Sequence, residues 1–217
     1  IAQVIESRAS GFAAGDLVLG GFGWQDYAAV TANAGVTKIS PSRPPTDYMS
    51  ALGGTGLTAY FGLLEVGRPK AGETVVISGA AGATGSSAVQ ISRIIGCRTI
   101  AIAGGGEKCR WTVEALGADA AIDYKNEDVS ARLGALCPDG VDVYFDNVGG
   151  DVLDAVLRRL AMHARVVLCG AIAVYNAEHQ PPGAHSAGND ESVLRGEVSA
   201  FGTRHPTPGR EDRPRVQ

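Results

Sequence analysis

The chain has 217 residues, a formal net charge of −4 and 45 % hydrophobic residues, so it is long enough to bury a sizeable core. It has no basic excess, no apolar stretch long enough to span a bilayer and no leader pattern. We therefore expect no nucleic-acid partner, no membrane partner and a cytoplasmic location. Its four cysteines form no Cys-x-x-Cys pair and its four histidines no ligand spacing, which predicts no metal site.

Short apolar runs separated by Gly and Asp fill the beginning of the chain. Residues 1–45 are predicted to be part of a small β-rich, GroES-like substrate domain, with strands near 2–6, 16–19 and 25–30. Trp24 is expected to be a core or pocket aromatic. Since the first residue is not Met, we expect the beginning of the protein to be missing.

Strands and helices alternate regularly in residues 46–176, after a first helix that begins near Asp47. This pattern predicts a Rossmann-type doubly wound parallel sheet. The predicted strands are 74–78, 98–103, 120–122, 141–145 and 165–168, and the helices between them are 84–95, 107–116, 128–136 and 151–160.

The remaining residues, 177–217, hold half of the chain's ten prolines and few strongly apolar side chains. This composition is typical of a disordered segment or of sequence foreign to the fold. We therefore expect an aberrant tail, and an incomplete sheet that lacks its final strand.

A glycine turn follows the first predicted strand of the parallel sheet, at Gly79–Gly85. Gly82 would allow backbone N–H groups to approach a pyrophosphate, and Gly85 would let the helix pack close to the strand. Ala80 replaces the first glycine of the strict dinucleotide fingerprint, so a plain structural turn is the alternative interpretation.

The end of the second strand indicates which dinucleotide binds. NAD-preferring domains place an acidic residue there, whereas this strand ends at Ala103 and is followed by three glycines and, shortly after, Lys108. An ammonium group can pair with a 2′-phosphate, which favours NADP(H). The alternative is that Lys108 is an ordinary surface lysine.

Several motifs then occur in a characteristic order, and they identify a family. Together they closely resemble, from about Val4 to Asn176, the zinc-independent medium-chain dehydrogenase/reductases of the prostaglandin reductase, alkenal double-bond reductase and curcumin reductase group. The motifs are Gly56–Tyr60, the glycine turn, Gly106–Cys109, Asp123–Lys125, Tyr144–Gly150 and Cys169–Ile172 with Tyr175-Asn176.

The resemblance implies NADPH-dependent reduction of the carbon–carbon double bond of a small α,β-unsaturated aldehyde or ketone, and a homodimer in the intact protein. Two alternatives stay open. One is a quinone oxidoreductase, and the other is a catalytically inactive nucleotide-binding fragment.

The resemblance also implies roles for individual residues. Asn147 would adjoin the ribose or nicotinamide, or simply form a turn, and Tyr124 would contact the adenosine phosphate, or simply pack. Tyr175 would be catalytic by donating a hydrogen bond to the developing enolate, the alternative being a wall residue with water as proton source. The remaining cofactor contacts would be Gly82, Ala83, Thr84 and Gly85 at the pyrophosphate, Lys108 at the 2′-phosphate, and Cys169, Gly170, Ala171 and Tyr175 at the nicotinamide.

Overall fold

A small antiparallel sheet forms the first part of the structure. The computed structural model describes residues 1–173 and, by their backbone, residues 196–200. Strand β2 (Leu17–Leu19) lies between β1 (Ala2–Gln3) and β3 (Thr37–Lys38). Both edges of β2 are thus paired.

Two expectations for this region are wrong. No strand forms at 25–30, because both edges of β2 already have partners and Asp26, Ala28 and Ala29 are weak strand formers. Trp24 is fully exposed, since no described residue covers it. The burial of Val18 and Ile39 shows where the apolar side of the small sheet lies.

A helical segment connects the two sheets. It consists of α1 (Pro45–Met49), α2 (Gly54–Phe61) and a π-helix (Gly62–Gly67). A Cβ at Gly62 would lie 2.7 Å from the Phe145 ring, so the absence of a side chain allows the backbone to approach the large sheet.

This close approach decides which side of the segment is buried. Ala59 and Leu63 are fully buried, whereas Leu57, Tyr60 and Phe61 are about half exposed. The face that carries Leu57, Tyr60 and Phe61 is therefore not the face that packs on the sheet.

The large sheet is parallel and has the strand order β6-β5-β4-β7-β8-β9. Each of the strands β4 to β7 is followed by a helix that returns the chain to the amino end of the sheet. The strands are β4 Thr74–Ser78, β5 Arg98–Ala103, β6 Ala120–Asp123, β7 Val141–Asp146, β8 Leu160–Leu168 and β9 Gly196–Ala200. The helices are α3 Ala83–Ile95, α4 Gly106–Glu114, α5 Val129–Leu136 and α6 Gly150–Leu157.

Both faces of this sheet are covered. Val76 and Tyr144 pack with α5 and α6, while Ile77 and Phe145, next to them in sequence, pack with α2 and α3. Burial on both faces explains why the strands are continuous apolar runs without polar alternation. The predicted Rossmann-type doubly wound architecture is confirmed.

The prediction of a sheet without its final strand is wrong. Residues 196–200 lie in the segment expected to be disordered, yet they pair in parallel with 164–168 of β8. Pairing at an open edge depends on backbone hydrogen bonds, which any composition supplies, so low hydrophobicity does not exclude it. β8 also begins at Leu160 and not at Arg165, because α6 ends three residues earlier than expected, at Leu157.

An ion pair fastens the amino end of the sheet. Arg165 of β8 binds both carboxylate oxygens of Glu73, and it donates to the carbonyls of Gly67 and Arg68 at the end of the π-helix. Burial opposes ionisation of Glu73, but the hydrogen bonds from Arg165 and the Lys70 amide outweigh it and lower the pKa of the carboxyl.

This arrangement predicts that Glu73→Gln lowers the free energy of unfolding by about 1.5–3 kcal/mol near neutral pH. Since the pKa of Glu73 is lower in the folded state, the stabilisation is present above the unfolded-state pKa and is lost as pH falls through the folded-state pKa. Urea unfolding between about pH 7 and pH 3 checks this. The control Glu6→Gln, in an exposed pair with Arg8, should change little, and an equal loss in both variants would contradict the prediction.

Candidate active site

The strand order of the parallel sheet reverses between β4 and β7, and a reversal of this kind leaves a crevice at the carboxyl end of the strands. The chain leaves β4 and β5 on one side of this point and β7 and β8 on the other. Open α/β sheets bind ligands at such a position. The turns that follow these four strands therefore form the candidate site.

The turn after β4 is shaped by close backbone contacts. Gly79 has a φ of +57°, and the Gly82 amide donates to its carbonyl (2.9 Å). A Cβ at Gly85 would lie 2.2 Å from the same carbonyl oxygen, so only glycine fits there. Ala80 is fully buried in the core, which explains why alanine is accommodated where the strict fingerprint has glycine.

This turn delivers the amino end of α3 to the crevice. Gly82 is the N-cap residue, and no side chain caps the helix. The partial positive charge and the backbone N–H groups of Ala83, Thr84 and Gly85 therefore face the site without competition from a capping side chain. Such an end suits a pyrophosphate.

Asn147, directly after β7, lies against this turn. Its amide N–H donates to Ser78 Oγ (2.9 Å), and its side-chain Nδ2 donates to the Ser78 carbonyl (2.7 Å). Its Cβ would lie 3.3 Å from a Cβ at Gly79. The ends of β4 and β7 are thereby held together by both the backbone and the side chain of Asn147.

The segment after β8 lies against the turn after β7. Cys169 and Gly170 donate their amides to the Asp146 carbonyl (2.8 and 3.0 Å), and Ala173 donates to the Val148 carbonyl (3.0 Å). Ala171 packs beside Gly149. The structure thus brings together Asn147 and 169–171, the residues that the resemblance assigns to the nicotinamide side.

Cys169 is held as a neutral thiol. Burial, followed by the nearby Asp146 carboxylate, raises the pKa of Cys169 to about 11. Because the thiolate is the nucleophilic form of cysteine, the raised pKa makes this side chain a poor nucleophile near neutral pH.

A second cluster lies after β5 and β6, on the other side of the glycine turn. The Tyr124 ring covers Gly104, where a Cβ would lie 2.8 Å from the ring. The Asp123 carboxylate accepts from the Asn126 side chain (2.7 Å) and from the amide of Gly105, the N-cap residue of α4 (2.7 Å). These bonds, in that order, lower the pKa of Asp123 against the effect of burial.

Lys108 is exposed in the first turn of α4, and its ammonium group has no hydrogen bond or ion pair with another described residue. The structure therefore places Lys108 and Tyr124 on two neighbouring turns. They form a group separate from Asn147 and 169–171. Tyr175 lies outside the described residues.

Sequence reasoning missed two residues that shape the site. Ser78 ends β4 and joins it to Asn147, and Gly104 allows Tyr124 to cover the turn after β5. A serine at the end of an apolar strand and a glycine triplet were the available signals. Neither is specific without the three-dimensional contact.

The described part of the chain contains no group of three or more His, Cys, Asp or Glu side chains that could hold a metal ion. Nor does any helix there have the length and apolar character that crossing a bilayer requires.

The family described as zinc-binding dehydrogenase matches residues 83–213 of this sequence, well over half of the chain. The chain belongs to this family.

Individual relatives confirm the resemblance inferred from the motifs. The Bacillus subtilis protein YfmJ is 51 % identical over 182 residues, covering 83 % of this chain and 53 % of its own length. A 2-alkenal reductase (NADP⁺-dependent) from Nicotiana tabacum is 43 % identical over 188 residues, covering 86 % of this chain and 54 % of its own. The crystal structure of CurA from Vibrio vulnificus in complex with NADPH has a TM-score of 0.82 at 40 % identity, covering 92 % of this chain and 60 % of that one.

The chain thus spans about half the length of the curated relatives it matches.

The thiol of Cys169 should resist alkylation. With a pKa of about 11, its thiolate fraction near pH 8 is about a hundredfold below that of an ordinary cysteine, and it should rise tenfold per pH unit up to the pKa. Peptide mapping after iodoacetamide treatment over a pH series measures this. Rapid modification of Cys169 at neutral pH would contradict the assignment.

Proposed function

We propose that this chain is the cofactor-binding part of an NADPH-dependent reductase that saturates the carbon–carbon double bond of α,β-unsaturated aldehydes and ketones. The observation that carries the proposal is the uncapped amino end of α3 beside Asn147 at the strand-order reversal. The similarity to CurA in complex with NADPH and to a 2-alkenal reductase supports it.

The residues present fit the cofactor along its length. The amino end of α3 would hold the pyrophosphate, because it offers backbone N–H groups and no competing side chain. Lys108 and Tyr124 would hold the 2′-phosphate end, where β5 ends without an acidic residue. Bound NADPH would supply the hydride.

Asn147 is oriented for the nicotinamide side. Because Nδ2 must face the Ser78 carbonyl, which only accepts hydrogen bonds, the carbonyl Oδ1 is the end of this amide left for another group. Oδ1 has no partner among the described residues. It would accept from a ribose hydroxyl or a carboxamide N–H of the cofactor.

The neutral Cys169 is compatible with an electrophilic substrate. An enal adds readily to a thiolate, and the raised pKa keeps this thiol protonated at neutral pH. Tyr175 would supply a hydrogen bond to the enolate oxygen that develops as the β-carbon receives hydride. The homodimer, the cytoplasmic location and the domain limits 1–45, 46–176 and 177–217 stay predictions.

A substrate panel tests the activity. NADPH consumption by the purified protein should be fastest with enals and enones, and absent with the matched saturated aldehydes. Preference for ortho-quinones would favour the quinone oxidoreductase alternative. Binding of NADPH without turnover of any acceptor would overturn the proposed activity and favour an inactive nucleotide-binding chain.

Lys108→Ala should weaken NADPH binding by about tenfold to a hundredfold, because a hydrogen bond to a charged group contributes roughly 1.5–3 kcal/mol. Affinity for NADH, which has no 2′-phosphate, should not change. Fluorescence titration with both nucleotides measures this, and Lys70→Ala, in the turn before β4 at the opposite end of the sheet, is the control. Equal loss of NADPH and NADH affinity would contradict the role of Lys108.

Tyr175→Phe should lower kcat by about 10²–10⁴ if the phenol assists protonation of the enolate. The affinity for NADPH should stay within about twofold, since the phenol acts on the substrate oxygen. Stopped-flow turnover together with nucleotide titration separates the two effects. An unchanged kcat would assign proton donation to water.

A further inference from the structure

Asp146, the last residue of β7, is a buried carboxylate at the centre of the candidate site. Its side chain is 1 % exposed. A charge so deeply buried is costly unless it is fully hydrogen-bonded. The hydrogen-bond donors around Asp146 therefore indicate which parts of the structure this carboxylate holds in place.

Four groups donate hydrogen bonds to this carboxylate, and all of them are neutral. Ser78 Oγ and Tyr144 Oη donate to Oδ1 (2.8 and 2.7 Å). The Val148 amide also donates to Oδ1 (3.0 Å), and the Gly149 amide lies 3.0 and 3.1 Å from the two oxygens. The carboxylate thus fixes the end of β4 and bends the turn after β7.

The backbone of the same residue holds the next strand. Its carbonyl accepts from the amides of Cys169 and Gly170, just past β8. Asp146 is therefore bonded to the ends of three adjacent strands, β4, β7 and β8. No single other contact described above joins all three.

We propose that Asp146 is a positioning residue for the nicotinamide half of the cofactor, acting through Ser78 on Asn147 and through its carbonyl on 169–170. This inference rests on the proposed function. In the proposed reaction, Asp146 does not contact the reacting atoms. It sets the relative placement of the groups that do.

The two hydroxyls on Oδ1 separate this role from simple stabilisation of the fold. Ser78 Oγ also accepts the Asn147 amide (2.9 Å), so the chain of hydrogen bonds continues to the site. Tyr144 Oη reaches the same oxygen from the core; it also lies beside the Ser78 hydroxyl, but it has no bond to Asn147. Burial raises the pKa of Tyr144 well above the ordinary value, so its hydroxyl remains a donor. Both residues are fully buried.

Ser78→Ala and Tyr144→Phe are thus a matched pair, since each removes one hydroxyl from the same carboxylate oxygen. Both should lower the melting temperature. Only Ser78→Ala should weaken NADPH binding, by about five- to tenfold, the range expected for one hydrogen bond. It should also raise the KM for NADPH more than it lowers kcat.

Adenosine 2′,5′-bisphosphate serves as the internal control, because it contains only the adenosine end of the cofactor. Its affinity should be unchanged in Ser78→Ala. Asp146→Asn can keep the acceptor Oδ1 but places an NH₂ group against the Gly149 amide. It should likewise weaken the binding of NADPH and leave the affinity for the bisphosphate unchanged.

Equal losses for NADPH and the bisphosphate, or equal effects of Ser78→Ala and Tyr144→Phe on NADPH affinity, would overturn the positioning role while leaving the proposed function intact. Failure of the unsubstituted protein to bind NADPH would overturn both. Fluorescence titration and thermal unfolding of the same four proteins supply all of these readouts.

Discussion

The reversal of strand order between β4 and β7 is the constraint on which the rest of the structure depends. It leaves a crevice at the carboxyl end of the sheet, because the chain departs in opposite directions from two neighbouring strands. Gly85 lets α3 approach the strand closely, and Asp146 closes the other wall by hydrogen bonds. The same point in the fold thus combines a positive helix end with a fixed amide side chain.

Much of the parallel sheet was predictable because burial on both faces requires continuous apolar strands. β4 and β5 have exactly the predicted limits, whereas β8 begins five residues earlier than expected. The failures have physical causes. Strand pairing of 196–200 depends on the open edge of β8, and the exposure of the Trp24 side chain depends on which groups cover it. Neither can be deduced from the local sequence.

The site was predictable where it depends on backbone geometry and on motifs. The glycine turn, Asn147 and 169–171 do meet at one crevice, whereas the network around Asp146 joins residues 68 positions apart. A single acidic residue at the end of an apolar strand can either begin an exposed turn or lie buried at the centre of a hydrogen-bond network. Only the convergence of donors from different strands distinguishes the two.

The central claim is that hydride reaches the carbon–carbon double bond and not the carbonyl group. Mass spectrometry of the product formed from an enal and NADPH that carries deuterium at both C4 positions tests it. Reduction of the double bond predicts a saturated aldehyde with one deuterium at the β-carbon. An allylic alcohol with deuterium on the carbinol carbon would contradict it.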